Sequence, residues 1–232
     1  MKILVVNPNS SAEMTESMAK VLDGIRRPDT ELSVVATADG PVSVQSARDV
    51  ALSIPPMLKI IEQANRDGVD AVIIACFSDP GLEAAKEVSS ALVLGIQETS
   101  LHVAALLGHK YTILTPLASR IASKEQDVRR FKAEEACASV RALGMTVLET
   151  EADPAKTKKR IFEVARAAME EDGAEVMILG CAGMTGYAED VERELGIVVL
   201  DPTSLTLKVA EGLVDLGIHH CKHGLYAPPV AA

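Results

Sequence analysis

Two segments 105 residues apart carry nearly the same pattern. Asp67-Gly-Val-Asp-Ala-Val-Ile-Ile-Ala-Cys76 and Asp172-Gly-Ala-Glu-Val-Met-Ile-Leu-Gly-Cys181 align without a gap, each an apolar run that ends in cysteine. The match continues beyond the cysteines, because the spacing from Cys76 to Ile96 equals that from Cys181 to Asp201. Upstream, Ile3-Leu-Val-Val-Asn7-Pro8 is echoed by Tyr111-Thr-Ile-Leu-Thr115-Pro116. A chain of this kind folds as two similar halves. We expect a first domain of 1–97 plus 205–232, made discontinuous by a last helix that packs back, and a second domain of 98–204.

Within each half, short apolar runs alternate with longer amphipathic stretches, which implies α/β domains with parallel sheets. Strands are predicted at 2–6, 32–36, 71–75 and 92–96 in the first half, and at 111–115, 145–149, 175–180 and 197–200 in the second. Helices are predicted at 11–26, from the Ile54-Pro55-Pro56 break to Asp67, and at 99–107, 120–142, 155–171, 185–195 and 204–216. Ser10 or Ser11 is placed to cap the first helix, and Gly68 to end the second. The architecture expected is two pseudo-symmetric α/β domains, each a parallel sheet flanked by helices, with an active site in the cleft between them.

Charge and composition exclude several function classes. A formal charge of −10 and 3% aromatic residues disfavour nucleic-acid binding, which needs a basic surface and stacking platforms. No apolar run approaches the roughly 18 residues of a membrane span. The amino terminus reads directly as a strand rather than as a secretory leader, so the expected location is the cytoplasm. Four cysteines at 76, 137, 181 and 221 lack Cys-x-x-Cys spacing and read as thiols rather than disulfides.

Ligands of parallel α/β sheets collect beyond the carboxyl ends of the strands, where helix N-termini present unpaired backbone N–H groups. Cys76 and Cys181 are both expected there. Asp79-Pro80-Gly81 is expected to start a helix after the first thiol, with Asp79 as N-cap and Pro80 at the first helical position. Ala182-Gly183 allows close backbone approach after the second. Thiols at equivalent strand ends of two facing halves can work as a pair, one removing a proton and the other replacing it. An unperturbed cysteine is only a few per cent thiolate at neutral pH, and a helix N-terminus with direct hydrogen bonds is enough to raise that fraction. Packing explains one buried cysteine well, but not two at repeat-equivalent strand ends. Cys137, in the charged stretch after Arg129, has no repeat partner and reads as a packing residue in a helix. His219-His220-Cys221-Lys222-His223 offers histidines at metal-ligand spacing, but it follows Gly217 and reads as a solvated carboxyl-terminal loop.

Asn7-Pro8-Asn9-Ser10 with Met14-Thr15, Ala75-Cys76-Phe77-Ser78-Asp79-Pro80-Gly81-Leu82, and Leu179-Gly180-Cys181-Ala182-Gly183-Met184 together resemble the aspartate/glutamate/hydantoin racemase superfamily, in its hydantoin racemase branch that includes allantoin racemases. The resemblance spans nearly the whole chain. It implies an isomerase without cofactor or metal, in which Cys76 and Cys181 remove and return the proton at a carbon beside a carbonyl. It implies that Asn9, Phe77, Ser78, Thr115, Ala182 and Gly183 lie on the loops that hold the substrate. Asn9 also reads as a stabiliser of its own turn, and Thr115 as a helix start. Free amino-acid racemases of the superfamily carry Asn-Thr after the first cysteine and Thr-His after the second. Phe77-Ser78 and Ala182-Gly183 stand there instead, which favours a 5-substituted hydantoin or a related cyclic ureide such as allantoin. The partners implied are a small-molecule substrate, with a homo-oligomer allowed. The alternatives are a racemase of free amino acids of the aspartate or glutamate type, or a noncatalytic binding protein of the same fold.

Overall fold

The computed structural model describes residues 1–229. The chain divides into two compact units, one formed by Met1–Ile96 with the segment from Thr206 onward, the other by Gln97–Leu205.

In the first unit, β1 (Lys2–Asn7), α1 (Ala12–Ile25), β2 (Glu31–Ala36), α2 (Ala47–Arg66), β3 (Ala71–Ile74), α3 (Leu82–Val88) and β4 (Leu92–Gly95) follow in order. The four strands form a parallel sheet in the order β2-β1-β3-β4. α4 (Ile96–Leu107) starts at the last residue of the first stretch and leads into the second unit, which contains β5 (Tyr111–Thr115), α5 (Ile121–Arg130), β6 (Cys137–Ala142), α6 (Val147–Ala152), α7 (Pro154–Asp172), β7 (Val176–Leu179), α8 (Ala188–Leu195) and β8 (Val198–Leu200). Its parallel sheet has the matching order β6-β5-β7-β8. α9 (Pro202–Asp215) begins in the second unit and continues into the first.

The repeat is kept at the level of register. Leu4 pairs with Val72 and Val5 with Ile73, while Thr112 pairs with Met177 and Ile113 with Ile178. The outer pairing slips by one residue, with Val72 opposite Val93 but Met177 opposite Val199. β3 and β7 are buried along their whole length, as strands covered on both faces must be. Met18 and Leu22 of α1, and Met57 and Ile61 of α2, are fully buried in the first unit. In the second, Ile161 and Ala165 of α7 lie fully buried as well.

Several local expectations are corrected. α2 begins at Ala47 rather than at the proline pair. Ser46 Oγ accepts from Asp49 N at 3.1 Å and Asp49 Oδ2 accepts from Ser46 N at 2.9 Å, a capping box that starts the helix and leaves Pro55 and Pro56 inside it. Internal prolines cost roughly 3 kcal/mol each, and here burial of Met57, Ile61 and Ala64 on one face opposes that cost. The helix ends as expected, with Gly68 left-handed and Val69 N donating to Ala64 O at 3.2 Å.

The predicted helix over 120–142 is replaced by a 3-10 turn (Ala118–Arg120), α5 and then β6. Lys132 adopts a φ of 56°, which turns the chain, and Cys137 therefore opens a strand beside β5 rather than riding on a charged helix. Residues predicted as a strand over 145–149 begin α6 instead. Thr146 and Glu149 form a second capping box, with Glu149 Oε2 accepting from Thr146 N at 2.8 Å.

The carboxyl-terminal segment also departs from expectation. Rather than being solvated throughout, it lies against the first unit. His220 Nε2 sits 2.9 Å from Val93 N and 2.8 Å from Val93 O, the outward groups of edge strand β4. Lys222 Nζ donates to Ser89 O at 2.6 Å and to the Lys86 carbonyl, satisfying the end of α3. No group of three or more His, Cys, Asp or Glu side chains among the described residues is arranged to hold a metal. No helix among them is long and apolar enough to cross a membrane.

Candidate active site

Both thiols follow a fully buried central strand by two residues. In the first unit, Ala75 N donates to Val6 O at 2.9 Å, so the chain stays paired to β1 until just before Cys76. Cys76 is half-buried and opens a turn in which Asp79 N donates to its carbonyl at 2.9 Å. Phe77 and Asp79 are buried in that turn, while Ser78 is half-buried.

Asp79 is not an N-cap. It adopts a φ of 40°, Gly81 with a φ of 62° occupies the N-cap position, and α3 starts at Leu82. Asp79 instead turns its carboxyl onto the end of β4. A Cβ at Gly95 would stand 2.3 Å from the Asp79 carboxyl carbon, so a glycine is required there for the turn to seat. The loop carrying Cys76 is thus wedged against its own sheet.

The neighbouring loop after β1 is tied by amides. Asn7 Nδ2 donates to Asn9 Oδ1 at 2.9 Å and to Thr15 Oγ1 at 3.0 Å. Asn9 Oδ1 also accepts from Ser11 N at 2.9 Å, and Asn9 Nδ2 donates to Met14 Sδ at 3.2 Å. Ser11 Oγ accepts from Met14 N at 3.1 Å and caps α1, as predicted for Ser10 or Ser11. Both ends of the buried Asn9 amide therefore hold this loop in shape.

In the second unit, Thr115 is buried at the end of β5, where its carbonyl accepts from Leu143 N at 2.8 Å. It ends a strand rather than beginning a helix. Cys181 follows β7 and is 9% exposed, more enclosed than Cys76. Its carbonyl accepts from Met184 N at 3.0 Å, which closes a 3-10 turn over Ala182–Met184. Ala182 is buried and Gly183 half-buried. A Cβ on Gly183 would meet Thr150 Oγ1 at 3.2 Å, the Cys181 sulfur at 3.6 Å and Glu151 Cγ at 3.7 Å. The start of the Cys181 turn therefore lies under α6.

Asp201 anchors the far end of that turn. Its buried carboxylate accepts from Gly186 N at 2.8 Å, and from Thr203 N at 3.0 Å and Ser204 N at 3.1 Å at the start of α9. Burial pushes its pKa up from the usual carboxylate value, against the pull of these backbone donors. Tyr187 is pushed up by burial, and further by the nearby Glu151 and Asp153.

Thr150 and Glu151 were not legible as neighbours of Gly183, because the residues leading into α6 read as a strand. The Thr146-x-x-Glu149 spacing was the available signal. Cys137 stands apart, half-buried in β6 beside Tyr111, with burial raising its pKa. It lacks the strand-end setting of the other two.

The model of the family described as Asp/Glu/Hydantoin racemase matches residues 3–210. The chain belongs to that family. A protein of Pseudomonas sp. (strain NS671) named hydantoin racemase is 37% identical over 99% of this chain and 92% of its own length. Among solved structures, an allantoin racemase from Klebsiella pneumoniae superposes with a TM-score of 0.97 at 33% identity, covering 100% of this chain and 95% of its own. Another from Pseudomonas fluorescens gives 0.96 at 34% identity, covering 100% of this chain and 98% of its own. This Asp/Glu/Hydantoin racemase family member is accordingly an isomerase of the racemase class that acts on a small molecule. Its two thiols share one place in the repeat, and their turns are anchored by different means.

Proposed function

We propose that this enzyme interconverts the enantiomers of a 5-substituted hydantoin or a related cyclic ureide such as allantoin, with Cys76 and Cys181 as its two bases. The observation that carries the mechanism is the equivalence of the thiols, each two residues beyond a buried central strand held in matching register. The substrate class rests on relatives named hydantoin racemase and solved structures titled allantoin racemase.

In this reading one cysteine enters as thiolate and the other as thiol. The thiolate takes the proton from the ring carbon beside the carbonyl, and the electron pair passes onto the carbonyl oxygen as an enolate. The opposite thiol then gives its proton to the other face. The enantiomer leaves with the protonation of the pair reversed, so the pair titrates as one coupled unit. Backbone N–H groups of the turns at Phe77, Ser78, Ala182 and Gly183 stabilise the enolate oxygen. Ser78 and Thr115 meet the ring's polar edge, and Asn9 acts by holding the loop after β1.

The test is incubation in deuterated water with single enantiomers of several 5-substituted hydantoins, allantoin, aspartate and glutamate, following optical signal and the α C–H resonance. Joint loss of both on a cyclic ureide is expected. Turnover on aspartate or glutamate with none on cyclic ureides would overturn the substrate assignment. Optical change without deuterium incorporation would overturn proton transfer.

A further inference from the structure

The register of the repeat allows the two units to be compared outside the thiol turns, and one position is filled in one unit but open in the other. Leu4 pairs with Ser33 and Val6 with Val35, while Thr112 pairs with Ser139 and Leu114 with Arg141. Ser33 therefore corresponds to Ser139, Val35 to Arg141, and Asp67 at the end of α2 to Asp172 at the end of α7.

In the second unit these residues close a network. Arg141 Nε donates to Asp172 Oδ2 at 2.6 Å, and its Nη2 donates to Asp172 Oδ1 at 2.8 Å and to Glu171 Oε2 at 2.6 Å. Ser139 Oγ donates to Asp172 Oδ2 at 2.5 Å and lies 2.9 Å from Thr112 Oγ1. The guanidinium holds the Asp172 carboxyl below the usual carboxylate range.

In the first unit the arginine is replaced by Val35, and a cavity of about 460 Å³ remains between α2 and the β1–β2 edge. Leu4, Val35 and Ile60 give it apolar walls, and Ser33 and Asp67 line it as Ser139 and Asp172 line the filled position. Asp67 Oδ1 accepts from Gln63 Nε2 at 2.8 Å, and among the described residues no arginine is bonded to it. Lys2, Lys59 and Glu31 border the same cavity, two cations to one further carboxylate.

We infer that this groove binds a small guanidino carboxylic acid, its guanidinium paired with Asp67 where Arg141 pairs with Asp172 and its carboxylate with Lys2 or Lys59. The chain itself supplies the template for the cationic end, and the bordering lysines supply a complementary charge for the other. A fork of N–H donors matches a carboxylate in a way that a simple ammonium does not. The groove lies beside the amino-terminal half of β1 and most of β2, whereas Cys76 follows the carboxyl end of β3, so binding is read separately from turnover.

The probe is 4-guanidinobutyrate, titrated into the full chain with Leu, Val and Ile methyl resonances followed by NMR. Saturable shifts at Leu4, Val35 and Ile60 are expected. Asp67→Asn should weaken binding about three- to fivefold, as the loss of an exposed ion pair does. Val35→Arg should abolish binding by supplying the guanidinium from within, with an unfolding temperature at or above that of the wild type. Agmatine, which lacks the carboxylate, should bind more weakly than the probe. Absence of methyl shifts in the wild type, or equal affinity in Asp67→Asn, would overturn the proposal. So would release of a self-associated form by the probe, because the groove would then be holding another copy's arginine.

Discussion

The Cys76 and Cys181 turns begin from the same scaffold and are secured in opposite ways. The first is held by steric fit, with a left-handed Asp79 laid on the bare Cα of Gly95. The second is held by a buried carboxylate that gathers three backbone N–H groups, and by α6 lying over Gly183. Strand register is preserved between the units at the centre of each sheet, where β1 and β3 pair as β5 and β7 do. The anchoring of the loops has diverged. Under the proposed two-base mechanism, unlike settings of Cys76 and Cys181 would suit a substrate whose two faces present unlike groups.

The comparison is broken most severely at the thiols themselves. Cys76→Ser and Cys181→Ser should each lower racemisation by about 10²–10⁴-fold while the circular dichroism spectrum is unchanged. Deuterium exchange from a single enantiomer should survive in at most one direction per variant. Near wild-type racemisation by either variant would remove that cysteine from the mechanism.

Gly95→Ala sharpens the contrast between steric and hydrogen-bonded anchoring. Its Cβ meets the Asp79 carboxyl at 2.3 Å, so the Cys76 turn must shift. A misplacement of about 1 Å costs on the order of 10²-fold in kcat, and the overpacking about 1–3 kcal/mol in stability. Steady-state kinetics and urea denaturation measure the two losses. Unchanged kcat would show that the wedge does not position the thiol.

The smallest effect is expected at Asp201. Its folded pKa lies above the unfolded value, so its contribution is most favourable below the unfolded pKa and declines as pH rises through the folded one. Asp201→Asn should flatten that decline in a urea series from acid to neutral pH. An asparagine still accepts from Thr203 and Ser204 through Oδ1, but its amide faces Gly186 N donor to donor. The variant should therefore lose about 1–3 kcal/mol overall. A pH profile unchanged from wild type would assign the slope to other groups.

Much of this architecture was legible because parallel strands buried on both faces announce themselves as apolar runs, as at Val72–Ile74 and Met177–Leu179. Errors arose where one local signal outweighed another. The proline pair at 55–56 has the local signature of a helix start, but the Ser46–Asp49 box upstream is what starts α2. β6 was read as helix because its strand character depends on pairing with β5 and on the left-handed turn at Lys132. Both thiols stood out through the repeat. The wedge of Asp79 on Gly95 joins residues of two different elements, and the cover of α6 over Gly183 joins residues more than thirty positions apart. Neither leaves a mark in any short window of sequence.

The imidazole against Val93 bears on how the first sheet ends. A parallel edge strand offers a row of backbone donors and acceptors on which a further strand can grow, from this chain or another. At β4 that template is interrupted at Val93, where His220 Nε2 lies against the outward backbone and bonds its N–H or its carbonyl according to tautomer. The width of the sheet is therefore set on this side by a residue more than a hundred positions downstream. Trimming the segment beyond Gly217 would remove the Lys222 bonds at the end of α3 and uncover that edge, an adhesive edge where there is now a finished one.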